Sequence, residues 1–551
     1  MITVEAYSID LDHRGDMIGC RTEMAIENET AVALDRYLFT LNPGLEVVSA
    51  ECSSGPCSFE RDLHHLWIIL PGPISPGSKD TVEVVYSGEI EDDACYLFLT
   101  DFERWRPVDS NFGRDITSPA GRFAIIDEDN LVLLPEIQWY PLPGVQYDPD
   151  RPDRCPAAFH SFELSYSGMK GLVPVSQGRR NDMETGRILF TPSHPMIGIS
   201  VIAGDYRVRS MAVDGTTYSS YTYKAYDRLD DFLPAPQDTL PAMIRELRDE
   251  YDTDAFFPYP YDRFSAVELP AHLRYHANRL WPGTGPWIQP EMMLSGRESR
   301  SHEVRLKRQS RHLESGYVGR SEPLTEKEIK ARLLRLQMAT FGNLAYYGTY
   351  NSHRVRLVSD ELPTISKAFD VYNQFHGYAR GLGYNLARSI DGRDMPDRLD
   401  PMTMTSRALR GRSLQELVAS QADPDSTYMA VMAKGMCLFK ELEARIGEKE
   451  FLRTLEALVD AHPFSSITLA GLAGEVDRRF GVDILPFVEE WYSSSDLPCF
   501  IFTDIELVQA IVGDHPLYNL RLKVSNPSKR DGAFVLSGAD PRESIERPFL
   551  V

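Results

Sequence analysis

Over the first two hundred residues, apolar and polar positions alternate in short runs. Stretches rich in β-branched side chains, such as Val82-Glu83-Val84-Val85-Tyr86 and Ile197-Gly198-Ile199-Ser200-Val201-Ile202, are separated by turns of Gly, Pro, Asp and Asn. A period of two with that punctuation predicts strands. Their number over residues 1–208 predicts a sandwich or saddle-shaped sheet. A loop-rich stretch over 141–156 interrupts it. Further on the period becomes helical, with amphipathic stretches over 236–251, 325–345, 363–385, 426–446, 448–461, 467–480 and 484–493. Thr325-Glu326-Lys327-Glu328 has the form of a capping box opening the second of these, and Gly447 is the expected break between the fourth and fifth. After Pro498 strands return, as in Tyr518-Asn519-Leu520-Arg521-Leu522-Lys523-Val524. The remaining stretch is short for a full sandwich. The expected class is therefore α+β and multidomain: a β domain over 1–208, a mostly helical domain over 209–500, and a partial β domain over 501–551.

A chain of 551 residues exceeds what one core accommodates. Its 42% hydrophobic and 25% charged residues are those of a globular protein. Lys and Arg total 58 against 81 Asp and Glu, a net charge of -23. That excess argues against nucleic acid as a partner, because phosphate neutralisation needs cations. It argues equally against docking on an anionic membrane. No apolar run of about 18 residues is present, so no transmembrane helix is expected. Met1-Ile2-Thr3-Val4-Glu5 reads directly into a strand, without the basic and apolar regions of a secretory signal. Membrane segments could still lie outside this chain if it is part of a longer product. The cysteines, Cys20, Cys52, Cys57, Cys95, Cys155, Cys437 and Cys499, are odd in number and scattered, which favours reduced thiols. Cys52 and Cys57 are close enough in sequence to pair across a turn.

The most informative stretch is Leu334-Arg335-Leu336-Gln337-Met338-Ala339-Thr340-Phe341-Gly342-Asn343. Other short strings accompany it in order. They are Leu66-Trp67-Ile68-Ile69-Leu70-Pro71, Tyr86-Ser87-Gly88-Glu89-Ile90, Gln138-Trp139-Tyr140-Pro141, Ala203-Gly204-Asp205-Tyr206 and Tyr259-Pro260-Tyr261-Asp262-Arg263-Phe264. Later come Ala433-Lys434-Gly435-Met436, Ile446-Gly447-Glu448-Lys449-Glu450-Phe451 and Glu490-Trp491-Tyr492. Together they resemble the gluzincin family of membrane-alanyl-aminopeptidase-like proteins. The resemblance implies a thermolysin-like domain over 209–500. Leu362-Pro363-Thr364 is similar in setting to peptidase-like domains attached to ABC-type transporter permeases.

The resemblance also implies a zinc site, and here the chain departs from the family. Two histidines one helical turn apart and a distant glutamate hold the metal in a His-Glu-x-x-His-x-x-Phe-Gly-Asn context. Aligned on Phe341-Gly342-Asn343, Leu334 and Met338 stand at the histidine positions and Arg335 at the general base. In Leu357-Val358-Ser359-Asp360-Glu361-Leu362-Pro363-Thr364, Asp360 takes the third-ligand position. Met432 stands where the family has its oxyanion tyrosine, and Tyr428, one turn earlier, is a candidate substitute. Gln289-Pro290-Glu291-Met292 is a poor stand-in for the substrate strand Gly-x-Met-Glu-Asn. Leu has no donor atom, the Met thioether is a soft ligand, and Arg stays protonated. Zinc lowers the pKa of water from 15.7 to roughly 7, on the order of 12 kcal/mol of nucleophile activation. No catalytic residue, metal or cofactor is therefore expected. Glu268, Glu291, Asp360 and Tyr428 are the candidates for binding a ligand, the three acids by pairing with a peptide amine without a metal. The expected role is interaction with a peptide or protein partner, with a membrane transporter implied by the resemblance.

Other constellations are weaker. His272-Leu273-Arg274-Tyr275-His276 would put two imidazoles on one helix face, but Arg274 between them repels a cation. Residues 297–312 form a basic island that suits an acidic partner or a solvated face. Tyr346, Tyr347, Tyr350, Phe369 and Tyr372 read as core and wall residues of helices, with a peptide lining as the alternative. No nucleophile elbow, P-loop or dinucleotide fingerprint is visible. The rival function is a zinc aminopeptidase with rearranged ligands, drawn from His272, His276, His302 and His312.

Overall fold

The computed structural model describes residues 2–99, 121–226, 240–246, 248–249, 259–270, 272–274, 276, 278, 280–282, 288–296, 354–375, 401–420, 424–496, 498–512, 515–528, 530–539 and 544–550. The chain divides into two compact units. One comprises Met1–Arg356 with Pro463–Ser466, the other Leu357–His462 with Ile467–Val551.

The first unit is built from strands. The early ones are β1 (Ile2–Arg14), β2 (Met17–Asn28), β3 (Leu34–Thr40), β4 (Leu45–Cys52), β5 (Gly55–Asp62), β6 (His65–Ile74) and β7 (Lys79–Gly88). Then come β8 (Ile125–Ile126), β9 (Asn130–Leu133), β10 (Leu142–Pro143), β11 (Ser161–Ser167), β12 (Val173–Val175), β13 (Arg179–Asp182), β14 (Ile188–Thr191) and β15 (Val201–Gly204). The last are β16 (Tyr206–Val213), β17 (Thr216–Tyr223), β18 (Arg263–Leu269), β19 (Ile288–Gln289) and β20 (Met292–Gly296). Eleven strands join in the order β10-β3-β6-β5-β4-β7-β2-β1-β11-β14-β13. Smaller sheets run β12-β15-β9-β8 and β16-β17-β18-β20-β19.

Alternation decides which face is buried, and β1 shows how one extra residue is absorbed. Ile2 and Val4 face the core, then Tyr7, Ile9 and Leu11 do. The phase slips by one at a bulge between Val4 and Ala6, which keeps the apolar set inward on both sides. The core gathers around Trp139 and Tyr140, both fully buried. Trp139 Nε1 donates to the Ile199 carbonyl at 3.1 Å, Ile199 N donates to the Tyr140 hydroxyl at 3.2 Å, and Tyr7 donates to the Pro141 carbonyl at 3.0 Å.

Those bonds explain a departure from the sequence pattern. The strand expected over 197–202 begins only at Val201. The Ile199 backbone is given to the two aromatic side chains instead of a ladder. Gly198 lies so close to Pro135 that a Cβ there would sit 2.6 Å from its Cγ. The loop-rich 141–156 stretch does contain one brief strand, β10, which pairs with Phe39 and Thr40 of β3.

The second unit is mostly helical: α1 (Thr364–Phe375), α2 (Pro401–Ala408), α3 (Leu414–Ser420), α4 (Pro424–Ile446), α5 (Glu448–Ala461), α6 (Leu469–Phe480) and α7 (Leu485–Ser493). Helix α4 is the hub, packing on α1, α2, α3, α5 and α7. It approaches α1 closely at Gly435, where an added Cβ would lie 2.8 Å from the Cα and Cβ of Ala368. Tyr372 of α1 stacks on Phe439 of α4 at 4.8 Å and donates to Glu443. Gly447 has a φ of 102° and separates α4 from α5 as expected. Thr468 caps α6 by accepting from Gly471 N at 3.0 Å. Two hairpins close the chain, Ile501–Val512 with His515–Ser525 and Ala533–Ala539 with Ser544–Leu550. The second packs on α4.

The architecture is thus α+β, with a large N-terminal β-rich part and a helical part after it. Of the expected helix over 236–251, residues 240–246 and 248–249 are described and helical, while that over 325–345 lies outside the described residues. The seven cysteines are free thiols, Cys52 and Cys57 included. Among the described residues no helix is long and apolar enough to cross a membrane.

Candidate functional site

The candidates divide between the two units. Glu268 and Glu291 lie in the first, Asp360, Tyr428 and Met432 in the second. Leu334, Arg335 and Met338 lie outside the described residues, as do His302, His312, the 297–312 island, Tyr346, Tyr347 and Tyr350.

In the first unit, Glu268 sits on β18 opposite Ser295 of β20. Its carboxylate accepts from Tyr223 N at 2.8 Å, and its carbonyl accepts from the Tyr206 hydroxyl at 2.7 Å. Glu291 occupies the turn between β19 and β20 with a φ of 60°, and its carbonyl accepts from Ser265 N at 2.8 Å. Ser265 and Glu268 are three residues apart on one strand, on the order of 10 Å. Their carboxylates accept from different backbone donors, Tyr223 N and Gly178 N.

Glu291 is 2% exposed. Oε2 accepts from Gly178 N at 2.6 Å and lies 3.6 Å from Arg263 Nε, while Oε1 has no hydrogen-bond partner among the described residues. Burial pushes the carboxyl up to about 7, against the opposing pull of Gly178 N–H and Arg263. An acid raised this way holds its proton in the folded state after the unfolded chain has released it. Stability is then full below the unfolded value of 4.5 and falls as pH rises through about 7. The loss is about 3 kcal/mol. Glu291→Gln is expected to remove that slope and to be the more stable form at pH 8, as read by urea unfolding across pH. His160, held down to about 4 by burial, gives the opposite slope, so the difference between variant and parent is the readout. Equal slopes would show that Glu291 is hydrated.

In the second unit, Asp360 is exposed in the bend before α1, where Leu362 N donates to Ser359 Oγ at 3.1 Å. Lys367 and Asp370 of α1 form a buried ion pair of 3.0 Å. The Lys367 ammonium lies 5.9 Å from the ring centroid of Tyr428, a cation–π contact that orients the phenol. Met432, one turn on from Tyr428, is 3% exposed and belongs to the helix packing. Phe369 and Tyr372 are core residues, in line with the core-and-wall reading of the sequence. The Lys367–Asp370 pair was not singled out from the sequence, although its i, i+3 spacing on a predicted helix was a usable signal.

The rival histidine pair does not form as drawn. Residues 272–274, 276 and 278 are not helical. Arg274 is buried with its guanidinium 5.0 Å from the Phe123 centroid, and the His276 ring packs against Tyr96 and Phe123. Proximity in sequence therefore does not become one helical face. Among the described residues no three His, Cys, Asp or Glu side chains are placed to hold a metal ion.

No protein-family model matches the chain, and no curated protein does. Solved structures do. A mutant of a two-domain M1 zinc metallopeptidase bound to L-tryptophan superposes with a TM-score of 0.50 at 15% identity, over 90% of this chain and 96% of that one. Legionella pneumophila aminopeptidase A, in complex with aspartic acid, superposes with a TM-score of 0.54 at 12% identity, over 100% of this chain and 56% of that one. The chain has the fold of the M1 zinc metallopeptidases. At such identities the likeness is one of fold.

On the resemblance read from the sequence, the zinc in the two-domain metallopeptidase's name would fall to Leu334, Met338 and Asp360 here, whose chemistry does not suit it. Leu334 supplies no donor atom and Met338 a soft sulfur. Asp360, the one hard ligand of the set, is an exposed side chain in a bend. A single carboxylate does not make a tetrahedral zinc site.

Proposed function

We propose that this chain is a degenerate gluzincin: an aminopeptidase-fold module that binds a peptide or protein partner and does not hydrolyse it. The observation carrying this reading is the donor chemistry at the aligned motif, where Leu334, Arg335 and Met338 replace two ligands and a base. Asp360, exposed and anionic, is the group best placed to meet a peptide amine, with Glu268 the second candidate. The place of Leu362-Pro363-Thr364 supports a setting beside an ABC-type transporter permease, where such a module would serve as a contact surface.

Trialanine titrated into the purified chain by calorimetry is expected to bind, and its N-acetylated form to bind at least about tenfold more weakly, because the ammonium is lost. Asp360→Ala should produce the same loss without unfolding, since the side chain is exposed. Equal binding of both peptides would remove the amine from the argument, and no binding at all would leave a structural spacer. Tightly held zinc with chelator-sensitive cleavage of leucine p-nitroanilide would establish the active reading instead.

A further inference from the structure

A cavity of about 120 Å³ lies within the first unit. Val4 and Tyr7 of β1, with Phe98, Tyr140 and Trp281, give it apolar walls. Buried atoms on its lining residues that have no hydrogen-bond partner among the described residues include Glu136 Oε2, Gln138 Oε1, His160 Nε2 and Arg356 Nε. Orphaned buried polar atoms are uncommon, because each gives up its hydration for nothing. Several such atoms on the residues of one void are what a bound polar group would satisfy with small side-chain shifts.

Arg356 sets the charge of whatever fills it. It is 3% exposed. Its Nη1 donates to the Ala157 carbonyl, and its Nη2 to Cys155 Sγ at 3.0 Å and to the Pro282 carbonyl at 3.3 Å. No carboxylate among the described residues lies within ion-pair range of it. A guanidinium stays protonated, so this buried cation lacks an anion.

Gln138 and His160 set the rest. His160 Nδ1 faces the Ala158 carbonyl at 3.1 Å, which assigns the ring proton to Nδ1 and makes Nε2 an acceptor. Burial keeps the ring neutral. Gln138 Nε2 donates to the Glu136 carbonyl, which leaves its Oε1 to accept. Burial raises the Glu136 carboxyl to about 7, so below that pH it is protonated and adds no negative charge to the cavity. Two acceptors thus await a donor near one unmatched cation. Water alone would satisfy the acceptors and leave the cation without a counter-charge. The volume holds several waters, and so a short-chain acid.

We propose that this cavity binds a small hydroxycarboxylate, its carboxylate accepting from Arg356 Nε and its hydroxyl donating to His160 Nε2 or Gln138 Oε1. The residues offered for the ligand, Arg356, His160 and Gln138, are not among the candidates for peptide binding, so the two readings are tested apart.

The test is calorimetric titration of the whole chain with 3-hydroxybutyrate, butyrate and butyramide. The first should bind saturably, and butyrate about fivefold more weakly for want of one hydrogen bond. Butyramide, uncharged and of the same shape, should be at least about tenfold weaker than butyrate. His160→Phe should reduce the preference for the hydroxyl while leaving butyrate affinity in place, which locates the ligand. Arg356→Gln should abolish carboxylate binding. Arg356 also ties three backbone and thiol groups, so that variant is read only if it folds, and the comparison of butyrate with butyramide on the parent stands without it. Butyramide binding as well as butyrate, or no saturable binding of either acid, would overturn the proposal and leave a cavity that holds water only.

Discussion

Trp139→Ala is expected to cost more stability than any other single substitution in the first unit. Removing a fully buried indole leaves a cavity worth about 3–5 kcal/mol. The Ile199 carbonyl, which now accepts from Trp139 Nε1 at 3.1 Å, adds about 1–3 kcal/mol when left unmatched in the interior. The sum rivals a typical domain stability of about 5–15 kcal/mol. Differential scanning calorimetry should show the first unit's transition lowered by roughly 10 °C or lost. Trp139→Phe divides the effect: most of the ring area remains and the N–H goes, so the loss should be confined to about 1–3 kcal/mol. If the alanine variant melts with the parent, the Trp139–Ile199 contact does not organise the core.

The reason so much hangs on this tryptophan also explains what the sequence could and could not disclose. Period-two alternation marks β1 correctly, because an apolar side chain has only one face on which to hide. It cannot foresee that Ile199 gives its backbone to Trp139 and Tyr140, since those partners lie some sixty residues away and leave no local signature. Helices α4 to α7 were legible from amphipathic spacing together with breakers such as Gly447. Helix α3 was overlooked, although Ser413 and Glu416 form a reciprocal capping box, with Ser413 N donating to the Glu416 carboxylate at 2.8 Å and Glu416 N to Ser413 Oγ at 3.1 Å. The apolar stretch after it is only two turns long, so the cap was the stronger signal. For the site, the sequence offers residue types alone, such as Leu334, whose place lies outside the described residues. They were silent about the cavity beside Arg356, because topology brings together Glu136 and Gln138, His160 and Arg356 from three distant stretches.

If the proposed reading holds, installing the family's donors should turn a chain that retains no zinc into one that binds it. The change is Leu334→His, Arg335→Glu, Met338→His and Asp360→Glu in one chain. The parent is expected to retain no zinc after dialysis against buffer without chelator, whereas the fourfold variant should hold about one zinc per chain. The readout is metal content by elemental analysis, with the nitrogen and oxygen coordination seen by X-ray absorption, so the result does not depend on turnover. Gain of hydrolysis is a separate step. It requires the water activation of on the order of 12 kcal/mol that the metal supplies, and the oxyanion donor that Met432 cannot provide, worth about 3–4 kcal/mol. Adding Met432→Tyr to the fourfold variant should therefore raise cleavage of leucine p-nitroanilide by a further factor on the order of a hundred to a thousand. Because Met432 is 3% exposed, the larger phenol must displace its neighbours on α4, and the fivefold variant should melt lower than the fourfold one. A folded fourfold variant with no more zinc than the parent would show that these four positions do not converge. A parent that keeps about one zinc per chain would mean that ligands other than Leu334, Met338 and Asp360 serve the site.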